Sequence, residues 1–274
     1  MSASTTEPTS WDVTWRDEVW RESDDGALEA RIFEPTGPGA PSANRPVVVE
    51  VHGGAWCIND RRAGTRYNKG LAAAGIVVVA IDFRMGPDHQ HPTASQDVAA
   101  AVAWTRAHAL QLGIDAEKVA LVGSSSGGHL ALLSALTLDP PVVGVVALWP
   151  PLDPLTRYRY ALAKGDDHGR GLASSTEKYF GSPGAMEQAS VPRVVAAGEQ
   201  TNLPPVWLVH PSEDLNVPRA ITDATDLAYR GAGGDIDIWT VPGEPHAFGH
   251  TDGDAADELI VRMRDVLNRW YQLI

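Results

Sequence analysis

The sequence predicts an α/β protein built on a doubly wound, mostly parallel sheet, with antiparallel strands at its N-terminal side. Three observations carry this. Six short β-branched runs punctuate the chain between Val47 and Val241, and most lack polar–apolar alternation, as expected of strands covered on both faces. Helical patterns separate successive runs, the rhythm of βα units. The 274 residues, 43% hydrophobic and 21% charged, suffice for one domain over 1–274 that removes about 75% of its unfolded surface from water.

In chain order, residues 1–10 are small and polar and read as a flexible tail. "WDVTWRDEVW" and "ALEARIFEP" alternate in polarity and are expected as antiparallel edge strands. Thr36–Pro46 is a loop by composition. The buried runs then follow: Val47–His52, Ile76–Asp82, Val119–Gly123, Val142–Trp149, Val206–His210 and Asp235–Val241. "SQDVAAAVAWTRAHALQLG" is helical, with Ser95 as N-cap candidate and Gly113 as terminator. "SGGHLALLSAL" follows the third buried run directly, and "PRAITDATDLAYRGAG" lies between the last two. The final helix carries an apolar stripe at Leu259, Ile260, Met263, Val266 and Leu267. From about 150 to 202 the rhythm breaks into prolines, glycines, arginines and aromatics, which reads as an irregular insertion capping the sheet edge.

Composition narrows the function. With 22 basic and 35 acidic residues the formal charge is −13, which disfavours a nucleic-acid partner because phosphates are repelled. Cys57 is the sole cysteine, so no intramolecular disulfide forms. The opening "MSASTTEPTSW" does not read as a secretory leader, and no apolar run approaches about 18 residues. A cytoplasmic protein without a membrane span is therefore expected, and a homodimer is compatible with the sequence.

The chemistry centres on "VALVGSSSGGHLALL". Gly123-Ser124-Ser125-Ser126-Gly127 is G-x-S-x-G with Ser125 in the middle, preceded by a buried strand and followed by a helix. Such a strand-to-helix turn pushes the central side chain out above the sheet, where neighbours must be small. A serine hydroxyl needs a base, and the base needs an orienting acid. Asp214, in "VHPSEDLNVP", and His246, in "PGEPHAF", lie just past the ends of successive strands, in the order Ser, Asp, His. Glu213 competes with Asp214 and His250 with His246; the second members of the motif order, Asp214 and His246, are preferred. His89, His91, His108, His129 and His168 read as surface or packing residues, and Ser124 and Ser126 as turn residues. "VHGGAW" offers nearly bare backbone, so the N–H groups of Gly54, Ala55 and Ser126 are the candidate oxyanion donors.

"HGGAW", "DFRMGPDHQHP", "GSSSGGHLAL", "EDLNVP" and "PGEPHAF" together resemble, in order and spacing, the hormone-sensitive-lipase-like branch of the α/β-hydrolase carboxylesterases. The resemblance runs from about Val47 to the C-terminus. It implies an α/β-hydrolase fold and a serine esterase with Ser125 as nucleophile, His246 as base and Asp214 as acid. No cofactor and no metal is implied, and the substrate is a small-molecule ester. The chain departs from the family's H-G-G-G, since Ala55 stands at the last glycine. It also reads Asp82-Phe83-Arg84-Met85-Gly86-Pro87 where D-Y-R-L-A-P is usual. Arg84 and Asp97 are expected to pair with one another.

An amidase, arylformamidase or peptidase-like enzyme using the same triad is the alternative activity. A hydrolase-fold receptor without turnover is the remote one. Trp56, Trp149, Tyr158 and Tyr160 are candidate substrate-pocket residues, with core packing the competing role of both tryptophans. Arg157, Arg159 and Arg170 are candidates to line the cavity and hold a carboxylate-bearing substrate, with solvent-exposed loop positions the preferred reading. Cys57 reads as a buried small apolar residue.

Overall fold

The structure is a computed structural model and describes residues 10–23 and 26–272. The expected tail at 1–10 lies outside the described residues except for Ser10. In order, the elements are β1 (Asp12–Ser23), β2 (Gly26–Thr36), β3 (Arg45–Val51), α1 (Thr65–Ala73), β4 (Val77–Ile81), α2 (Thr93–Ala107), α3 (Ala109–Leu112) and β5 (Ile114–Ser124). Then come α4 (Ser126–Ala135), β6 (Val145–Leu148), α5 (Pro154–Lys164), α6 (Asp167–Phe180), α7 (Pro183–Gln188), α8 (Val191–Ala197), β7 (Val206–Pro211), α9 (Arg219–Gly231), β8 (Ile236–Val241) and α10 (Asp254–Gln272).

The eight strands make one sheet in the order β1-β2-β4-β3-β5-β6-β7-β8. β1 and β2 pair antiparallel, as do β2 and β4, whereas the pairs from β4 through β8 are parallel. Both halves of the sequence expectation hold. Every residue of β4, β6 and β7 is buried, while the edge strand β1 is mostly exposed or half-buried.

Alternate side chains feed two layers. Val47, Val49 and Val51 pack with Val98 of α2, Leu130 of α4 and Ile221 of α9. Val48, Val78 and Val122 face the other way, onto Leu71 of α1 and Leu259 and Met263 of α10. Each such side chain removed from water stabilises the sandwich by about 1.5–3 kcal/mol. The Arg84–Asp97 pair forms at 2.7 Å, and Arg21 of β1 joins the same fully buried carboxylate at 2.7 Å. This ion triad ties the antiparallel edge to α2.

Three elements differ from expectation. α1 has no counterpart in the sequence reading; its buried residues Tyr67, Asn68, Leu71 and Ala72 sit at helical spacing but include two polar ones. α2 begins at Thr93 rather than after Ser95, whose hydroxyl instead donates to the Pro92 carbonyl at 2.8 Å. The insertion between β6 and β7 is four helices rather than irregular chain. Its prolines and glycines are helix punctuation: Pro154, Pro183 and Pro192 stand in first turns, and Gly165, Gly181 and Gly198 close the helices at φ near +70°. Asp153, Asp166 and Ser182 cap the backbone N–H groups of Thr156, Gly169 and Ala185.

Register places the site. Val51 lies opposite Gly123, and Ser124 opposite Leu148, which lies opposite Val209. Pro211 in turn faces Val241. The loops after β3, β5, β6, β7 and β8 therefore leave the sheet at one edge, the carboxyl edge of the parallel strands.

Candidate active site

Ser125 occupies the turn between β5 and α4 at φ 50° and ψ −124°. An L-residue held there stores strain of about 1–3 kcal/mol. The turn is possible only because both flanking glycines lack a side chain. A Cβ on Gly123 would stand 2.4 Å from the Gly127 carbonyl oxygen, and one on Gly127 would stand 2.0 Å from that of Val51. The Ser125 N–H donates to the Leu148 carbonyl at 2.8 Å, fixing the turn to β6. Its side chain does not cap α4, so the hydroxyl is available elsewhere.

That hydroxyl meets His246. Ser125 Oγ lies 3.0 Å from His246 Nε2, and His246 Nδ1 lies 2.8 Å from Asp214 Oδ2. The other oxygen of Asp214 accepts the backbone N–H groups of Asn216 at 2.8 Å and Val217 at 2.9 Å. A carboxylate only accepts, so Nδ1 carries the imidazole proton and Nε2 presents its lone pair to the hydroxyl. The Asp214 side chain is 1% exposed and that of His246 14%, so the chain runs from a buried acid to a partly open hydroxyl. Glu213 is exposed and takes no part. His250 turns away, its Nδ1 lying 3.1 Å from the Ala63 carbonyl, and burial holds its imidazole below the ordinary value.

The loop after β3 curls over Ser125. Gly54 has φ 136°, and Ala55 and Trp56 follow in left-handed conformation at 49° and 63°. The N–H groups of Cys57 and Ile58 both donate to the Gly54 carbonyl, and a Cβ on Gly54 would stand 2.0 Å from the Ile58 carbonyl oxygen. Among the described residues, the N–H groups of Gly54, Ala55 and Ser126 make no hydrogen bond within the protein. Of these three unspent donors, Gly54 and Ala55 line the same cavity as Ser125, and Ser126 stands at the start of α4, where the helix dipole favours negative charge. His52, the first residue of that loop, is buried and stacked on Phe83 at 4.4 Å, and burial keeps its imidazole below the ordinary value.

These residues open onto a cavity of about 360 Å3, lined by Gly53, Gly54, Ala55, Ser125, Trp149 and His246 together with Ile58, Asn59, Ala63, Arg157, Leu172, Asn216, Ala247 and His250. Trp149 is fully buried and forms its floor, packed edge-on against His246 at 6.3 Å and Phe248 at 5.1 Å.

Three of the four proposed pocket aromatics stand elsewhere. Trp56 is fully buried, stacked on Tyr179 at 5.9 Å, with its Nε1–H donating to His129 Nδ1 at 3.3 Å. The left-handed turn at Trp56 sends its ring into the protein rather than toward the cavity. Tyr158 hydrogen-bonds Glu177, and Tyr160 donates to the Leu215 carbonyl at 3.4 Å. The buried residues of α5 are Pro154, Leu155, Arg157 and Ala161, and Tyr160 falls off that face; Tyr158 lies on it, but packs half-buried against the core with its hydroxyl on Glu177 rather than in the cavity. Arg157, for which the sequence offered cavity lining beside the preferred exposed position, is 3% exposed and lines the cavity. An i, i+3, i+7 count begun at the Asp153-Pro154 start signal would have found it.

The sequence matches the alpha/beta hydrolase fold family over residues 48–250. The chain belongs to this family. Two proteins similar to it are Lipase 2 of Moraxella sp., 26% identical over 86% of this chain, and Esterase LipC of Mycobacterium tuberculosis, 28% identical over 78%. The chain spans 62% and 55% of those two proteins. A thermostable esterase of Pseudomonas putida shares the fold of this hydrolase-family chain, with a TM-score of 0.82 at 23% identity over 96% of this chain and 84% of its own. Among the described residues, no helix is long and apolar enough to cross a membrane.

Proposed function

We propose that this member of the alpha/beta hydrolase fold family is a serine hydrolase that cleaves small carboxylic esters through an acyl-enzyme. The observation that carries the reading is the unbroken Asp214–His246–Ser125 hydrogen-bond chain. Ser125 Oγ attacks the ester carbonyl carbon as His246 Nε2 takes its proton, and Asp214 stabilises the imidazolium. The carbonyl oxygen becomes an anion that the N–H groups of Gly54, Ala55 and Ser126 receive, each donor contributing about 3–4 kcal/mol. Collapse breaks the bond to the alcohol oxygen, which takes the proton from His246 and leaves. Water then gives its proton to His246, attacks the acyl group and releases the acid, restoring Ser125. In this reading, helices α5–α8 cap the site. The esterase and lipase names of the relatives support an ester as the bond cleaved.

Ser125→Ala is expected to reduce turnover of p-nitrophenyl acetate by at least 10^4-fold, the usual scale for loss of a triad nucleophile. Labelling by a fluorophosphonate probe should vanish with it, while circular dichroism stays unchanged. Undiminished hydrolysis by the folded variant would end the proposal, and absent labelling of the wild type would point to a silent serine.

A further inference from the structure

Arg157 is the only Lys, Arg, Asp or Glu among the cavity-lining residues. It is 3% exposed. Its Nη1 donates to the Leu172 carbonyl at 3.2 Å and to Thr176 Oγ1 at 2.5 Å, both neutral and both on α6. Its Nε is buried without any partner. Among the described residues, no carboxylate forms an ion pair with it.

A guanidinium removed from water costs several kcal/mol unless an anion faces it. Neutral acceptors on one edge and the Trp56 ring 5.3 Å from its Cζ offset part of that cost, the ring by about 2 kcal/mol when desolvated. A link between α5 and α6 needs only a neutral donor; the buried Asp214 carboxylate supports the charge electrostatically without forming an ion pair with it, so among the described residues no anion is in contact with the guanidinium. Burial lowers its pKa to about 10, which leaves it charged at neutral pH. Beside it in the cavity, Asn216 has its Oδ1 engaged by His168 Nε2 at 2.7 Å. That leaves the Asn216 amide N–H groups without a protein acceptor among the described residues.

We infer that Arg157, assisted by Asn216, is the anchor for a carboxylate carried by the substrate, so that the site takes esters of anionic acids or alcohols in preference to neutral ones. This rests on the esterase reading above. The guanidinium fork matches a carboxylate in two parallel hydrogen bonds; outside the candidate triad the remaining polar lining is neutral, Asn59 and His250 meeting the Gly53 and Ala63 carbonyls and Trp149 holding a buried unpartnered indole N–H.

Two substrate pairs test it in a pH-stat. Monoethyl succinate against ethyl 4-oxopentanoate places the charge on the acyl side; acetoxyacetate against acetoxyacetone places it on the alcohol side. In each pair a carboxylate replaces a methyl ketone of similar shape. In at least one pair, the wild type is expected to favour the anion about tenfold or more in kcat/KM, the scale of a charge-assisted hydrogen bond. Arg157→Gln should bring that ratio to about one, and Arg157→Lys should keep part of it. A merely structural Arg157 would lower both members of a pair together and leave the ratio where it was. Parity or a neutral preference in both pairs of the wild type overturns the anchor, whatever the variants do.

Calorimetric titration of Ser125→Ala protein with monoethyl succinate and with acetoxyacetate separates the two readings. Binding of an anion, weakened at least tenfold in Ser125→Ala/Arg157→Gln, without wild-type turnover of any ester would keep the anchor and sink the hydrolase. Turnover without anion selectivity would do the reverse.

Discussion

Glu50 is the residue whose chemistry the core least tolerates. It sits inside β3 with no exposed surface, accepting from Tyr67 Oη at 2.7 Å and Asn68 Nδ2 at 3.2 Å. Burial raises its carboxyl from 4.5 to about 7, against those two hydrogen bonds. The folded state therefore holds a proton that the unfolded chain releases, and Glu50 withdraws stability as pH rises from about 4.5 through about 7. A shift from 4.5 to about 7 corresponds to about 3 kcal/mol. Asn68 Oδ1 has no partner, so a flipped Asn68 amide would accept from a glutamine at position 50. Glu50→Gln is expected to gain stability over the wild type by about 3 kcal/mol between pH 4.5 and 8. Urea midpoints of both proteins across that range read it, and a difference independent of pH would refute it. Arg157 makes the complementary point. Residue type and neighbouring prolines suggested an exposed loop cation, and only the phase of α5 turned it inward.

At the scale of elements, the site depends on how closely α4 approaches β3. Gly127 has no room for a Cβ against the carbonyl oxygens of Val51 and His52, at 2.0 and 2.4 Å, and backbone atoms cannot step aside as a flexible side chain does. Gly127→Ala must push α4 off the sheet and carry Ser125 with it. The expected loss is about 3 kcal/mol of stability and, under the proposed activity, more than a hundredfold in kcat/KM for p-nitrophenyl acetate, because a displacement of about 1 Å at a reacting group costs that much. Gly171, an exposed position in α6 with open space around it, is the control. There Ala should stabilise by about 0.5–1 kcal/mol through helix propensity. Thermal unfolding of both variants gives the comparison. The glycines of G-x-S-x-G were legible as a sharp turn because only backbone conformation was at stake. The helices of the insertion were missed because their Pro and Gly signals serve loop and helix ends alike.

Across the whole molecule, burial sets the response to acid. His52, His91, His129, His210 and His250 are all held below the ordinary imidazole value by desolvation, His129 down to about 4. Unfolding lets them take protons, so their contribution is present above about 6.5 and is lost as pH falls from there toward 4. Stability is expected to drop steeply over that window. Unfolding enthalpies measured in buffers of different ionisation heat should show net proton uptake near pH 5, the histidines taking up more than Glu50 releases. Net proton release would contradict the burial of these rings.

Local patterns in the sequence determined the β-branched strands, their parallel pairing, the family and the three residues Ser125, Asp214 and His246. These follow from short-range preferences and from the single edge at which parallel strands release their loops. Tertiary structure alone decided that Trp56 packs inward and that Tyr158 and Tyr160 miss the cavity. A side chain's solvent is set by what arrives from distant parts of the chain. No pattern of neighbours along the sequence records that.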